Sequence, residues 1–241
     1  MAIVSGWGPA TVASARRVTP TGRVLELDVP GWAGNLPGQH LDLRLTAEDG
    51  YQAVRSYSIA SYGQGSRVEL AVDELPDGEV SPYLVDVVEP GDELEVRGPI
   101  GNYFVWRDEQ PDAVQLIAGG SGIVPLVAIA RAHHASSNPA PFKLVYSVRA
   151  PEDAYYADEL RGFEGDRFTL DWVYTRRTPP GWERPAGRID AATIERVTLP
   201  ASGNPLVYVC GPTGFVEAVS RALVALGHDP ARVKTERFGG A

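Results

Sequence analysis

The chain has 241 residues, 44% of them hydrophobic and 22% charged, with a formal net charge of −9. That length allows one large domain or two of about 100–130 residues, each able to bury a real core. The acidic balance argues against a general nucleic-acid or anionic-membrane surface, and no apolar run reaches the length of a membrane span. Residues 1–7 carry neither a basic stretch nor an apolar stretch of the leader type, so a cytoplasmic location is expected.

From Val12 to about Val105 the hydrophobic pattern has a period of two. Leu25, Leu27 and Val29 alternate with Glu26 and Asp28, and Leu41, Leu43 and Leu45 alternate with Asp42 and Arg44. Val68, Leu70 and Val72 repeat the pattern, as do Leu94 and Val96. Turn signals such as Pro20-Thr21-Gly22, Asp49-Gly50, Pro76-Asp77-Gly78 and Pro90-Gly91 separate the runs. Short alternating strands so spaced predict an antiparallel barrel or sandwich. One short helix interrupts it, with Ser81 as N-cap and Pro82 as first helical residue, running through Tyr83, Leu84 and Val88.

Within this half, Arg55-Ser56-Tyr57-Ser58 has the chemistry. On a strand, Arg55 and Tyr57 share one face, and Ser56 and Ser58 the other. Arginine can clamp a diphosphate, tyrosine can lie along a ring system, and serine can hydrogen-bond a ring nitrogen. The alternative is a polar strand with an exposed Arg and a half-buried Tyr. Gly78-Glu79-Val80-Ser81 offers a second anion seat at a helix start.

Residues 107–112 are polar and include Pro111, which places the domain boundary there: residues 1–107 and residues 108–241. Strands at 114–118, 142–147, 168–175, 206–210 and about 233–236 then alternate with helices at 123–132, about 154–162, 191–196 and 213–226. Repeated βα units imply a five-stranded parallel sheet with helices on both faces. The first βα turn, Gly119-Gly120-Ser121-Gly122, leads into an apolar helix with Pro125 in its first turn. A strand, a glycine turn and a helix N-terminus together can seat a phosphate. Other strand ends carry Ser147 and Arg149, then Thr175, Arg176 and Arg177, then Cys210-Gly211-Pro212. Ligands of such sheets lie beyond these carboxyl ends.

Cys210 is the one cysteine, which excludes an internal disulfide, a Cys-based structural zinc site and a self-contained four-cysteine cluster. His40, His133, His134 and His228 lack metal-ligand spacing, and His133 and His134 read as surface residues on a helix end. No metal is expected.

Taken in order, Arg55-Ser56-Tyr57-Ser58, Gly78-Glu79-Val80-Ser81, Gly119 to Pro125, Cys210-Gly211-Pro212 and Glu236-Arg237-Phe238 resemble the motif set of the ferredoxin–NADP reductase superfamily. The resemblance implies a flavin-binding antiparallel β-barrel followed by an NAD(P)-binding α/β domain. It implies FAD contacts from Arg55, Ser56, Tyr57, Ser58, Val72, Gly78, Val80, Ser81 and Phe238, with Ser58 near the flavin nitrogen that receives hydride. Pyridine-nucleotide contacts would come from Gly120, Ser121, Gly122, Pro125, Ser147, Arg149, Thr175, Arg176, Arg188, Cys210, Gly211 and Pro212. Ser58, Cys210 and Glu236 would be the catalytic groups, and Pro37-Gly38-Gln39-His40 a structural turn. The Thr175-Arg176 and Gly187-Arg188 pairs resemble the arrangement that holds a 2′-phosphate, favouring NADPH over NADH.

The expected activity is hydride transfer from NAD(P)H to FAD, then single-electron release from a monomer to a separate protein, a ferredoxin or an oxygenase or metalloenzyme component. Arg16, Arg17, Arg44 and Arg67 are candidate docking cations for such a partner. The alternatives are an NAD(P)H:flavin reductase that releases reduced flavin, or a non-catalytic flavin-binding electron-transfer or sensor subunit.

Overall fold

The computed structural model describes residues 6–239. The leader reading of residues 1–5 therefore lies outside the described residues, as do the terminal Gly240 and Ala241. The chain divides into two compact units, Met1–Trp106 and Arg107–Ala241.

The first unit is a six-stranded antiparallel sheet of β1 (Gly8–Thr19), β2 (Gly22–Asp28), β3 (His40–Thr46), β4 (Gln52–Ser58), β5 (Arg67–Asp73) and β6 (Glu93–Ile100), in the order β4-β3-β6-β1-β2-β5. A bridge between Ile59 and Leu70 joins the two ends of that order and closes the sheet into a barrel. The period-two residues fill it: Leu25, Leu27, Leu41, Leu43, Val68, Leu70 and Val96 are almost completely buried in one cluster. At the start of β3, Gly38 has φ +94°, and a Cβ there would stand 2.1 Å from the Phe104 carbonyl oxygen. Only glycine fits that turn. Gln39 braces it, accepting from Leu36 N–H at 2.8 Å and donating to the Gly101 carbonyl at 2.7 Å.

The short helix differs from expectation. Its core is one π-helical turn, Tyr83–Val87, and Ser81 does not cap it. The Ser81 hydroxyl instead accepts from Leu75 N–H at 3.0 Å, fastening the preceding turn.

In the second unit β7 (Val114–Gly119), β8 (Phe142–Val148), β9 (Phe168–Tyr174), β10 (Leu206–Pro212) and β11 (Val233–Phe238) form a parallel sheet in the order β11-β10-β7-β8-β9. The βα alternation predicts this architecture. The helices are α1 (Ile123–Ala135), α2 (Ala157–Gly162), α3 (Ala191–Val197) and α4 (Thr213–Ala225). Ile117, Val145, Val207 and Val209 point to one face, where Ile194 and Val197 of α3 and Val216, Val219 and Leu223 of α4 cover them. Helix α3 opens with the Asp190 carboxylate accepting from Thr193 N–H. No described helix is long and apolar enough to cross a membrane.

Two local expectations are corrected. The helix expected at 154–162 starts three residues later, because Tyr155 is buried with its N–H on the Tyr146 hydroxyl and Tyr156 takes a left-handed φ of 58°. His133 is not a surface residue. It is 1% exposed, stacks on Phe142 with ring centroids 3.7 Å apart, and has Nε2 2.9 Å from the Ala140 carbonyl oxygen. The chain leading into β8 passes beneath the end of α1 and covers it, and burial lowers the imidazole pKa.

Candidate functional site

The candidate residues lie in two places, one in each unit. In the barrel, register with β3 sets Arg55 opposite Leu43, Ser56 opposite Asp42, Tyr57 opposite Leu41 and Ser58 opposite His40. Tyr57 is half-buried against the core, and desolvation pushes its hydroxyl up to about 12, so it stays protonated. Ser56 donates to Asp42 at 2.7 Å, and Arg97 donates to the other Asp42 oxygen at 2.6 Å. Burial would raise the Asp42 carboxyl, but these two bonds and the Arg97 charge outweigh it and hold the pKa low. The Ser56 hydroxyl is thereby turned toward Asp42.

Arg55 lies 2.6 Å from one oxygen of Glu79, and the Tyr51 hydroxyl donates to the other at 2.8 Å. The Tyr51 bond, then the Arg55 bond and charge, hold the Glu79 carboxyl below its usual range. A groove opens alongside, lined among others by Arg44, Tyr51, Glu79, Tyr83 and Glu95. Glu79 and Tyr51 were not singled out from the sequence, although Glu79 sits inside the Gly78–Ser81 tetrapeptide. At Gly78 a Cβ would come within 2.9 Å of both the Leu75 oxygen and the Ser81 hydroxyl, so the turn needs glycine. Val72 and Val80, expected at the flavin, have their side chains in the barrel core at 1% exposure. Only their backbone remains for a ligand.

In the second unit the strand order reverses between β7 and β10, the crevice where ligands of open α/β sheets bind. The glycine turn after β7 is a 3-10 turn, Gly120–Gly122, running straight into α1. A Cβ on Gly122 would fall 2.2 Å from the Cys210 oxygen. On Gly119 or Gly211 it would strike the Phe215 ring at 2.8 or 2.7 Å. These three glycines are required by the packing of β7 on β10 and α4. Gly120, with φ +56°, faces open space, and with the half-exposed Ser121 it leaves a bare backbone cradle before α1. Pro125 is buried, which leaves it shaping the helix start.

At the end of β10, Cys210 pairs in register with Glu236 of β11, and Pro212 with Phe238. Cys210 is 2% exposed, and burial, then the Glu236 charge, pushes its thiol well up. It is a neutral, compact group. Desolvation pushes the Glu236 carboxyl up to about 7. Pro212 and Phe238 are exposed, and Thr213 donates to the Gly239 carbonyl at 3.3 Å, holding the two strand ends together.

The ends of β8 and β9 are tied by Arg176 and Arg177 N–H groups, which both donate to the Arg149 carbonyl. Ser147 is buried at 5%, whereas Arg149, Arg176 and Arg188 are exposed and, among the described residues, carry no ion pair. Arg177 is paired with Glu152. The Gly187 N–H donates to the Tyr174 carbonyl, bringing Arg188 back beside the end of β9. An aromatic wall that sequence reasoning missed runs along the same strand: Trp172 and Tyr174 are parallel with centroids 6.0 Å apart, and Trp182 meets Tyr174 edge-on at 5.1 Å. The i, i+2 spacing of Trp172 and Tyr174 on an edge strand was its signal.

Three of the four arginines expected to dock a partner, Arg17, Arg44 and Arg67, are engaged locally. Arg17 pairs with Asp86 at 2.5 Å, Arg44 with Glu95 at 2.7 Å, and Arg67 with Asp28 at 2.9 Å and Glu26 at 3.2 Å. Three of the four therefore contribute no unbalanced positive charge.

A closed antiparallel barrel bearing Arg-Ser-Tyr-Ser, and a parallel unit with a glycine cradle at its switch point, define a two-domain flavin- and pyridine-nucleotide-binding oxidoreductase. Residues 9–105 match the oxidoreductase FAD-binding domain, and residues 116–221 the oxidoreductase NAD-binding domain. NADH-cytochrome b5 reductase 1 of Aspergillus terreus is 32% identical over 206 residues, covering 81% of this chain and 68% of that protein. The glycine betaine monooxygenase reductase subunit of Pseudomonas aeruginosa is 31% identical over 207 residues, 84% of this chain and 56% of that subunit. This chain thus spans 56% of the one relative's length and 68% of the other's. The crystal structure of an Amycolatopsis cytochrome P450 reductase superposes with a TM-score of 0.83 at 26% identity, covering 97% of this chain and 70% of that one. The chain belongs to the ferredoxin–NADP reductase superfamily of FAD- and NAD-binding oxidoreductases.

Proposed function

We propose that this protein oxidises NADPH through a bound FAD and passes electrons singly to a separate acceptor protein, either a ferredoxin or the redox component of an oxygenase or other metalloenzyme. The carrying observation is one chain holding both a strand with Arg55, Ser56, Tyr57 and Ser58 and a glycine turn, open at Gly120, whose Gly122 abuts Cys210, the register partner of Glu236. The relatives named for monooxygenase reduction and for cytochrome b5 reduction support the acceptor class. When bound, FAD supplies hydride acceptance and one-electron release, chemistry no side chain provides.

In this reading residues 1–107 hold FAD and residues 108–241 hold the pyridine nucleotide. Arg55 takes the flavin's phosphate, Tyr57 packs along its ring and ribityl chain, and Ser58 hydrogen-bonds the nitrogen that receives hydride. Gly78 and the backbone amides of Val80 and Ser81 sit against the diphosphate, since the first amides of a helix have no intrahelical partner. The Gly120–Gly122 turn and Ser121 take the pyridine nucleotide's phosphates, and Ser147, Arg149, Thr175, Arg176 and Arg188 its adenosine end. Arg176 and Arg188, exposed and, among the described residues, without a carboxylate partner, favour a 2′-phosphate. Cys210, neutral and buried, offers a soft wall to the nicotinamide. Glu236, ionising near neutrality, holds or releases a proton at that strand end. Phe238 covers a ring. We place the protein in the cytoplasm as a monomer.

An anaerobic absorption spectrum of the purified protein, before and after NADPH or NADH, tests this. The expected result is a flavin band that bleaches, at lower concentrations of NADPH than of NADH. A protein that is colourless and takes up no FAD refutes the reading. Tight retention of the flavin on gel filtration separates it from a reductase that releases reduced flavin.

A further inference from the structure

Among the described residues, Glu79 is the carboxylate paired with Arg55, the cation assigned above to the flavin's phosphate. Its carboxylate is 2.6 Å from Arg55 Nη2, with its second oxygen held by the Tyr51 hydroxyl at 2.8 Å. Arg55 is further fixed by donating to the Val54 carbonyl at 2.8 Å. Tyr51 lies just before β4 and Glu79 between β5 and the π turn, so the carboxylate is held from two directions at the mouth of the phosphate seat. About half of each charged side chain is open to water, 49% for Arg55 and 48% for Glu79. An exposed pair of this kind is weak enough for a diphosphate to break, yet the displaced carboxylate stays close to the incoming anion.

We propose that Glu79 is an affinity-setting residue that competes with the cofactor's phosphate for Arg55, keeping flavin binding weaker than the rest of the seat would give. The proposal rests on the flavoprotein reading above. Two like charges a few ångströms apart in a water-exposed setting repel enough to change affinity about fivefold. Replacing Glu79 with glutamine removes the charge and keeps an acceptor for Tyr51.

The test is titration of the full chain, stripped of flavin, with FAD, FMN and riboflavin, followed by quenching of flavin fluorescence in wild type, Glu79→Gln and Glu79→Ala. Both variants are expected to bind FAD and FMN about fivefold more tightly than wild type, with the gain shrinking at high salt. Riboflavin, which has no phosphate, is expected to bind all three proteins equally. Unchanged or weaker FAD binding by Glu79→Gln overturns the proposal, as does an equal gain for riboflavin. Wild type failing to take up either FAD or FMN refutes the flavoprotein reading itself, an outcome distinct from the other two.

Discussion

The glycines at the switch point differ in what a methyl group would meet, and a three-member alanine series should separate them. At Gly122 the added Cβ falls 2.2 Å from the Cys210 oxygen, 2.5 Å from its carbonyl carbon and 2.7 Å from the Gly211 nitrogen. All three are backbone atoms of a central strand, so relief requires moving β10 away from the start of α1. Overpacking of a rigid core costs about 1–3 kcal/mol and more where backbone must shift, so Gly122→Ala should lose about 3 kcal/mol. At about 2–4 °C per kcal/mol for a chain of this size, the melting temperature falls by roughly 6–12 °C. Gly120 has φ +56° and no neighbour within 4 Å, so Gly120→Ala carries only left-handed strain, about 1 kcal/mol. Gly214 lies near the start of α4 with open space and no positive φ, so Gly214→Ala should stabilise by up to about 1 kcal/mol. Circular dichroism melts of the three variants read the order directly. If Gly122→Ala melts within about 2 °C of wild type, or proves milder than Gly120→Ala, the packing argument is wrong.

Glu236 gives a pH signature. Its folded pKa of about 7 stands above the ordinary 4.5, so its stabilising contribution is complete below 4.5 and is lost as pH rises through 7. Glu236→Gln should remove that slope and exceed wild-type stability at pH 8 by at most about 3 kcal/mol, at about 1.4 kcal/mol per pH unit. Urea unfolding of both proteins at pH 5 and pH 8 checks this, and parallel pH dependence would contradict it. Asp42 has the opposite sign: its lowered carboxyl stabilises the fold above the ordinary range and loses that effect as pH falls through its folded value. Asp42→Asn, which leaves Arg97 and Ser56 poorly matched, should cost about 1–3 kcal/mol at neutral pH by the same denaturation assay. Arg176→Ala should lower kcat/KM for NADPH at least about tenfold while leaving NADH nearly unchanged, since a charge-assisted phosphate contact is worth about 1.5–3 kcal/mol. Equal losses with both nucleotides would remove Arg176 from the 2′-phosphate.

The barrel was legible because alternation at period two leaves one consistent set of inward residues. Leu25, Leu27, Leu41, Leu43, Val68 and Leu70 read as core from sequence and are fully buried. The parallel sheet was equally legible from alternating βα units. What escaped depends on contacts between distant segments. Ser81 looked like a cap from its neighbours, but the chain at Leu75 folds back and takes its hydroxyl. His133 looked exposed beside His134 until Phe142 was placed beneath it. Asp42 becomes the partner of Ser56 only once β3 and β4 are in register, and Glu79 meets Arg55 only because the turn after β5 reaches the mouth of β4. A single sequence carries the side chains of such pairs but not the register that joins them.

The glycine turn shows how a motif's residues can be fixed by a different physical cause from the one the motif suggests. From sequence, Gly119, Gly120 and Gly122 all read as room for a phosphate. In the folded unit Gly119 and Gly122 are small because Phe215 and the Cys210 backbone already occupy the space a Cβ would need, and Gly211 is small for the same reason. That close packing carries β10 against β7, which puts Cys210 in register with Ala118 on one side and Glu236 on the other. The same contact therefore sets the distance between the open backbone at Gly120 and the thiol and carboxylate at the strand ends. Loss of any packed glycine should accordingly disturb nucleotide binding through stability and alignment together. Loss of Gly120, which meets no neighbour within 4 Å, should add only its modest backbone strain and leave that packing intact.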